Sequence, residues 1–597
     1  MFDLSLVYKP LVRSKELGFS YSSLIIMFLI NLGKTLFELI SIGLMLPIFQ
    51  FMENKGNRDA LLENGEHWKY IYNISEYLNI NLNIGHLLII VFCMLLVRQV
   101  LGFIYMYYQG IKKAISIKYI FDQAVKCIFN AQLYYFDKVN RGEIVNDLTT
   151  EAEKCVTGII KIIQFLCLIV LLVMYLITIL YVSNESIIFV IISLGICLMP
   201  FRPIIAKSKT IGKNITYLNQ KIVSRVINFI ESVRVVRLSN RHFSETRVFN
   251  KYSDNLKSNY IKLVKFTAII AHCIEPLVIG IGFVFVYVAI TYYDLGLGEI
   301  GIISVMVLRL LPVVKDLISG LQSIASINAS VEAVLSRIND LFRSDEKVGE
   351  GDKISDVKGE IIFSNVTFTY PMSKKRSLED ISLVFPSGKL IGLVGSSGSG
   401  KSTLIDMIPR LREPTMGKIF LDGKQINKIA KNSLRYKIGY MSQKPQFIGS
   451  TILDHIKYEN ENANEVEIEK ALDLVGISDL INSLPNKLLT KIEEGAENFS
   501  TGEKLRIDLV RILLKKSKII ILDEPTANLD PINARNLIKQ LKTIQNTHSC
   551  TIILISHIPE TVKEVDMVVV LEKGKINGIG IHEELVKSSI WYRQAFQ

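Results

Sequence analysis

Within the first 330 residues lie six apolar runs of bilayer-spanning length, at about 22–49, 86–108, 158–182, 186–206, 264–292 and 298–322. A transmembrane helix needs roughly 20 predominantly apolar residues, and a soluble core would have to bury all six runs in one half of the chain. Residues 1–330 are therefore read as a six-helix membrane domain. The third and fourth runs are separated only by Ser183-Asn184-Glu185, which suits a tight helical hairpin. The whole-chain averages, 49% hydrophobic and 21% charged residues over 597 positions, hide a contrast. Past residue 330 a linker, 331–358, leads to a polar stretch with interleaved strand and helix patterns, the mark of an α/β domain over 359–597.

Charge sets the orientation. The connection from about 202 to 265 is basic, with Lys207, Lys209, Lys213, Arg225, Arg234, Arg237, Arg241, Arg247, Lys251 and Lys257. The opposite connections carry acids: Glu53, Asp59, Glu63, Glu66 and Glu76, then Glu185, then Asp294 and Glu299. Positive-inside bias puts the N-terminus, the basic loops and the C-terminal half in the cytoplasm. The net charge of +12 belongs to these membrane-flanking loops, so the partner it implies is lipid and not nucleic acid. Seven scattered cysteines without a CxxC pair support neither a disulfide framework nor a metal site. No cleavable signal peptide is expected, because the first apolar run is long enough to span.

The cytoplasmic connections 109–157 and 207–263 are too long for turns. Ile222, Val226, Phe229, Ile230 and Val233 repeat at three- and four-residue spacing, which predicts helices prolonged beyond the bilayer. The outer connection 50–85, with Trp68, Tyr70, Tyr72 and Tyr77, reads either as an amphipathic interfacial helix or as a solvated loop. Ionisable residues inside spans are costly and are functional candidates by default: Lys34, Glu38, Arg98, Glu275 and Arg309. Two readings stand. The charges pair internally, as Lys34 and Glu38 could at four-residue spacing, or they line a water-filled cavity that meets an anionic cargo.

The α/β half is organised around Gly395-Ser396-Ser397-Gly398-Ser399-Gly400-Lys401-Ser402-Thr403. It follows the strand-like run Leu390–Val394 and precedes a helix. Backbone N–H groups freed by small residues, together with a helix N-terminus, make a phosphate cradle. Lys401 supplies a charge for the outer phosphates and Ser402 a magnesium ligand. The pattern predicts a nucleoside triphosphate site. A second element, Ile519-Ile520-Ile521-Leu522-Asp523-Glu524, is an apolar strand ending in two acids. Asp523 is expected to hold magnesium, and Glu524 to orient and deprotonate an attacking water. The strand Thr551–Ile555 leads to Ser556-His557, whose imidazole can reach a γ-phosphate.

Taken in order, these residues resemble an ATP-binding cassette (ABC) transporter of exporter type over essentially the whole chain: six spans, then one ATP-binding domain. The resemblance implies ATP and Mg2+ as cofactors. It assigns Tyr370 to stacking on adenine, Gln443 in Met441-Ser442-Gln443-Lys444-Pro445 to the Q-loop that senses magnesium, Ala527–Asp530 to the D-loop and His557 to the switch histidine. Tyr135-Phe136-Asp137 followed by Gly142-Glu143 resembles the family's first cytoplasmic connection. The signature, usually LSGGQ, reads Phe499-Ser500-Thr501-Gly502-Glu503. Ser500 and Gly502 are implied contacts to a γ-phosphate bound by a partner subunit, while Thr501 and Glu503 depart from the pattern, with Glu503 expected near the ribose.

The family implies two chains per transporter. With Glu524 and His557 both present a homodimer is expected, and a heterodimer stays open. Glu38, Gly43 and Pro47, Glu275-Pro276 and Arg309-Leu310-Leu311-Pro312 resemble flippases for lipid-linked oligosaccharides. An exporter of peptides or hydrophobic small molecules is the rival expectation, and a DNA-repair or regulatory ATPase without transport is argued against by the six spans.

Overall fold

A computed structural model describes residues 5–44, 83–182, 191–192, 195–292, 297–371, 373–527 and 529–596, with scattered positions between 48 and 77. Contacts divide the chain into two units, Met1–Ala131 with Tyr135–Asp345, and Gln132–Tyr134 with Glu346–Gln597.

The first unit is helical: α1 (Ser5–Val12), α2 (Tyr21–Gly43), α3 (Ile84–Asn130), α4 (Leu133–Lys138), α5 (Arg141–Asn146), a π-helical turn (Asp147–Glu151), α6 (Ala152–Val182), α7 (Arg202–Leu238), α8 (His242–Tyr292) and α9 (Leu297–Arg343). At 1.5 Å per residue, the 51 residues of α8 extend about 75 Å, more than twice a hydrocarbon core of about 30 Å. The helical extensions expected from the spacing are thus continuous with the spans. Among the described residues, five helices are long and apolar enough to cross a membrane. The fourth expected span, 186–206, ends by running through a 3-10 turn, Met199–Phe201, into α7, and its positions 186–190 and 193–194 lie outside the described residues. Most of the outer connection 50–85 also lies outside them.

Helix α9 is the spine of this unit. Its Val331, Val334, Leu335 and Ile338 pack with Val156, Ile159, Ile160 and Ile163 of α6. Its Leu310, Val313 and Leu317 meet Phe165 and Leu171, and its Val314 and Ile318 meet Ile205 of α7 and Ile270 and Ile274 of α8. The junction expected at 331–358 opens as helix: α9 runs unbroken to Arg343 because 331, 334, 335, 338 and 341 keep an apolar stripe at helical spacing. Close approach is bought by small residues. A Cβ on Gly212 of α7 would lie 2.0 Å from the Ser326 carbonyl oxygen of α9, so the two backbones touch as membrane helices with small interface residues do.

The second unit is α/β. Its strands are β1 (Ile361–Thr369), β2 (Arg376–Phe385), β3 (Leu390–Val394), β4 (Met416–Leu421), β5 (Lys424–Gln425), β6 (Ile438–Met441), β7 (Ile519–Asp523), β8 (Thr551–Ile555), β9 (Met567–Glu572) and β10 (Lys575–Gly580). An antiparallel sheet has the order β2-β1-β4-β5, and a six-stranded sheet the order β10-β9-β3-β8-β7-β6. In the latter, β9, β3, β8, β7 and β6 run parallel. Strands buried on both faces need apolar residues at every position, and β3 and β8 are buried throughout. Because β3, β8, β7 and β6 are neighbours, the segments after their carboxyl ends gather on one edge: the phosphate loop, His557, Glu524 and Gln443. Ligands bind at that edge of open parallel sheets.

Candidate functional site

The phosphate loop turns between β3 and the helix Lys401–Asp406. A Cβ on Gly395 would lie 1.9 Å from the Leu571 carbonyl oxygen, so only glycine lets the loop start there. Gly398 and Gly400 take left-handed φ of 77° and 104°, open to glycine at no steric cost. Lys401 is buried, and its Nζ donates to the carbonyls of Gly395 (2.9 Å) and Ser396 (3.0 Å). Two of its three N–H groups are thereby used within the loop. Burial lowers its pKa, against the opposing charges of Glu524 and Asp523. Ser399 Oγ is buried without a hydrogen-bond partner. A cradle that accepts no Cβ, a buried ammonium and an orphaned hydroxyl fit a bound triphosphate.

Opposite the loop, β7 ends at Asp523. Burial, then the charges of Glu524 and Asp406, push its pKa up to about 6, with Lys401 acting in the other direction. Carboxylates gathered in this way fit a divalent cation, which would be shared with Ser402 and with phosphate oxygens, as magnesium in such sites is. Glu524 sits at φ +53°, a conformation that costs a non-glycine residue energy and persists where the surroundings enforce it. Gln443 Nε2 donates to Glu524 Oε2 at 2.7 Å, and His557 Nε2 lies 3.1 Å from Glu524 Oε1. Residues from the ends of β6, β7 and β8 thus meet on one carboxylate.

Tyr370, just past β1, shares a 2.9 Å hydrogen bond between its hydroxyl and Thr403 Oγ1. Its ring meets Phe368 edge-on at 5.0 Å, and the Arg412 guanidinium stands 4.7 Å from its centroid. The aromatic expected at the base is therefore tied to the phosphate loop itself.

Ser500, Gly502 and Glu503 stand apart from this group. Ser500 is the N-cap of the helix Thr501–Leu514: its Oγ accepts from the Glu503 N–H, and the Glu503 carboxylate accepts from the Ser500 N–H at 2.8 Å. This S-x-x-E pattern is a capping box. Glu503, expected near a ribose, here turns back onto its own helix. The same Ser500-x-x-Glu503 spacing is legible in the sequence. Leu529 covers Gly502, 3.2 Å from where a Cβ would stand, and Asp530 caps the helix Pro531–His548. Asn528 of the D-loop lies outside the described residues.

Three residues that sequence reasoning missed border the site. Asp406 is four positions after Ser402 on the same short helix, a spacing that could have flagged it. Arg412 is 3.3 Å from Asp406. Tyr440 donates to Asp406, and burial followed by the charges of Asp406 and Asp523 raises its pKa. Nothing local marks Arg412 or Tyr440.

In the membrane unit, Glu38 of α2 pairs with Arg98 of α3 at 3.2 Å. The four-residue spacing allows Glu38 to pair with Lys34 one turn away; α2 packs on α3 and the guanidinium across that interface takes the carboxylate. Lys34 runs along Gly102 of α3. Glu275 is exposed on α8, and the Arg309 side chain lies outside the described residues.

Residues 378–527 match the ABC transporter family, and residues 24–311 match the ABC transporter transmembrane region. The ATP-dependent lipid A-core flippase of Photorhabdus laumondii is 27% identical over 520 residues, spanning 85% of this chain and 87% of that protein. The heterocyst differentiation ATP-binding protein HepA of a Nostoc species is 26% identical over 499 residues, 81% of this chain and 80% of the other. A solved bacterial Atm1-family ABC exporter with ATP bound superposes with a TM-score of 0.75 over 96% of this chain and 97% of that one, at 18% identity, which speaks for the fold.

Proposed function

This chain belongs to the ABC transporters, as a subunit of exporter type, and from that premise we propose that it moves an anionic, lipid-linked amphiphile, such as a lipid-linked oligosaccharide, from the cytoplasmic to the outer leaflet. It hydrolyses ATP with magnesium and couples hydrolysis to transport. It is an integral protein of the bacterial inner membrane with its ATPase domain in the cytoplasm.

The observation that carries the cargo reading is similarity to lipid A-core flippases across most of both chains. Arg98 stands within the spans paired with Glu38, so in this reading its planar donor fork meets phosphate oxygens only where that pair opens. The transporter in this reading is two copies of the chain. ATP on the phosphate loop of one copy meets the N-terminus of the helix Thr501–Leu514 in the other, where Ser500 and Gly502 present backbone N–H groups to an anion.

In the hydrolytic step, Glu524 is the base. Gln443 and His557 each hold one of its oxygens, so the carboxylate is oriented before water arrives, and a proton moves from that water to Glu524. Lys401 leaves its loop carbonyls for phosphate oxygens. Asp523 and Ser402 would hold magnesium, which when bound would supply positive charge to the phosphate oxygens. A nucleotide shifts the transporter toward its closed form only by binding that form more tightly.

Purification in lipid followed by mass spectrometry of co-purifying molecules tests the cargo. A polyprenyl-pyrophosphate glycan or another phosphorylated glycolipid supports this reading. A peptide or a neutral small molecule overturns it.

A further inference from the structure

We propose that Arg412 and Asp406 form a linked pair of positioning residues in the nucleotide site, Arg412 bracing the ring that receives the base while it neutralises Asp406 beside the metal-binding edge. The inference rests on the reading of Tyr370 as the base platform, and goes beyond it by assigning two residues that no motif covers.

Tyr370 is restrained on three sides. Its hydroxyl is bonded to Thr403 at 2.9 Å, Phe368 meets it edge-on at 5.0 Å, and Arg412 covers a face at 4.7 Å. That distance is inside the range for a cation–π contact, about 6 Å. The same guanidinium reaches Asp406, Nε to Oδ2 at 3.3 Å. Both side chains are largely buried, 10% and 15% exposed, so the contact is shielded from salt.

Asp406 faces the site's acids. Its charge acts on Asp523, as does that of Glu524, while Lys401 opposes them, and the Tyr440 hydroxyl donates to it. Without Arg412, Asp406 loses that guanidinium and stays a partly buried carboxylate close to where a triphosphate must bind. Coulomb repulsion in such a place is strong because the effective dielectric is low. One guanidinium therefore does two separable things. It stiffens the base platform, and it removes a negative charge from the triphosphate's surroundings.

The two effects are read with two probes on the full-length protein in nanodiscs: Mg-ATP, and Mg-tripolyphosphate as a competitor that has no base. Arg412→Ala is expected to weaken both, tripolyphosphate by several-fold through the loss of positive charge beside Asp406, and ATP by a further 2- to 5-fold, roughly the worth of a cation–π contact. Adding Asp406→Asn restores tripolyphosphate binding and leaves the base-dependent loss. Arg412→Lys keeps the charge without the planar stack, so it retains tripolyphosphate affinity and loses only the base-dependent part. It also serves where the alanine variant does not fold.

Unchanged binding of both probes in Arg412→Ala overturns the proposal, as does failure of Asp406→Asn to recover tripolyphosphate. Tyr370→Ala separates the two levels. If it leaves the ratio of ATP to tripolyphosphate affinity untouched, the base-platform reading fails. If it lowers that ratio and Arg412→Ala does not, the inference about Arg412 fails alone.

Discussion

Gln443 Nε2 donates to Glu524 Oε2 across 2.7 Å, holding the carboxylate through the oxygen that His557 does not touch. An amide in place of the carboxylate keeps that shape and loses the proton acceptor. Glu524→Gln is expected to lower phosphate release by about 10²- to 10⁴-fold, the usual contribution of a positioned base, while ATP binding is kept. Hydrolysis at the wild-type rate in a single-turnover assay would falsify the assignment.

Burial makes the charge on Asp523 costly. Its folded value, about 6, lies above the ordinary 3.8, so between those values the native state holds the proton more tightly than the unfolded chain. Stability from this group therefore falls as pH rises from about 4 to 6, and the cost is fully present above that window. Asp523→Asn should melt higher than wild type at pH 7.5 without nucleotide, by roughly 1–2 kcal/mol after discounting for partial exposure. The gain should shrink as pH falls toward 4, and stabilisation by Mg-ATP should vanish. A variant that melts lower at pH 7.5 speaks against the buried charge.

The capping box makes Ser500 and Glu503 separable. Ser500→Ala removes the cap and should cost about 1 kcal/mol of helix stability. Glu503→Gln keeps an acceptor for the Ser500 N–H and removes a negative charge from a helix end that receives an anion in the proposed dimer. Its apparent KM for ATP should drop a few-fold, with a small loss of stability, about 0.3–1 kcal/mol. An unchanged KM in steady-state assays means that the charge is not felt at the shared site.

Gly212 marks where α7 and α9 touch. An added methyl group meets the Ser326 carbonyl oxygen at 2.0 Å, and a backbone atom within a helix cannot swing away. Gly212→Ala should destabilise the membrane unit by about 1–3 kcal/mol or more, the range for overpacking, seen as a lower melting temperature on size-exclusion chromatography. Gly110→Ala, which meets nothing within 4 Å, is the control that should melt like wild type.

For the pair in the spans, structural and transport roles come apart in a double variant. Arg98→Ala leaves Glu38 charged without its partner and should be less thermostable than Arg98→Ala with Glu38→Gln, because an unpaired charge costs more than a missing pair. Both should flip anionic lipid poorly in liposomes while basal ATPase continues. Normal flipping by the double variant removes the cationic side chain from the transport path.

What the chain alone determined is what can be written within a few consecutive residues. An apolar run long enough to span, a glycine-rich turn ending in Lys401-Ser402, and acids after four apolar strand residues each carry their physical reason locally, as period, backbone freedom or burial. They suffice for the two domains, the ATP site and the side of the membrane on which it stands. Tertiary structure decided the pairings. Glu38 had Lys34 one turn away and took Arg98, because helix packing put a guanidinium nearer. Gln443 reaches Glu524 from 81 positions away because β6 and β7 are neighbours in the sheet. Arg412 meets both Tyr370 and Asp406 only once β1 and the phosphate-loop helix share a core. Charge and ring contacts are short-ranged, so their partners are chosen by packing, which no local pattern records.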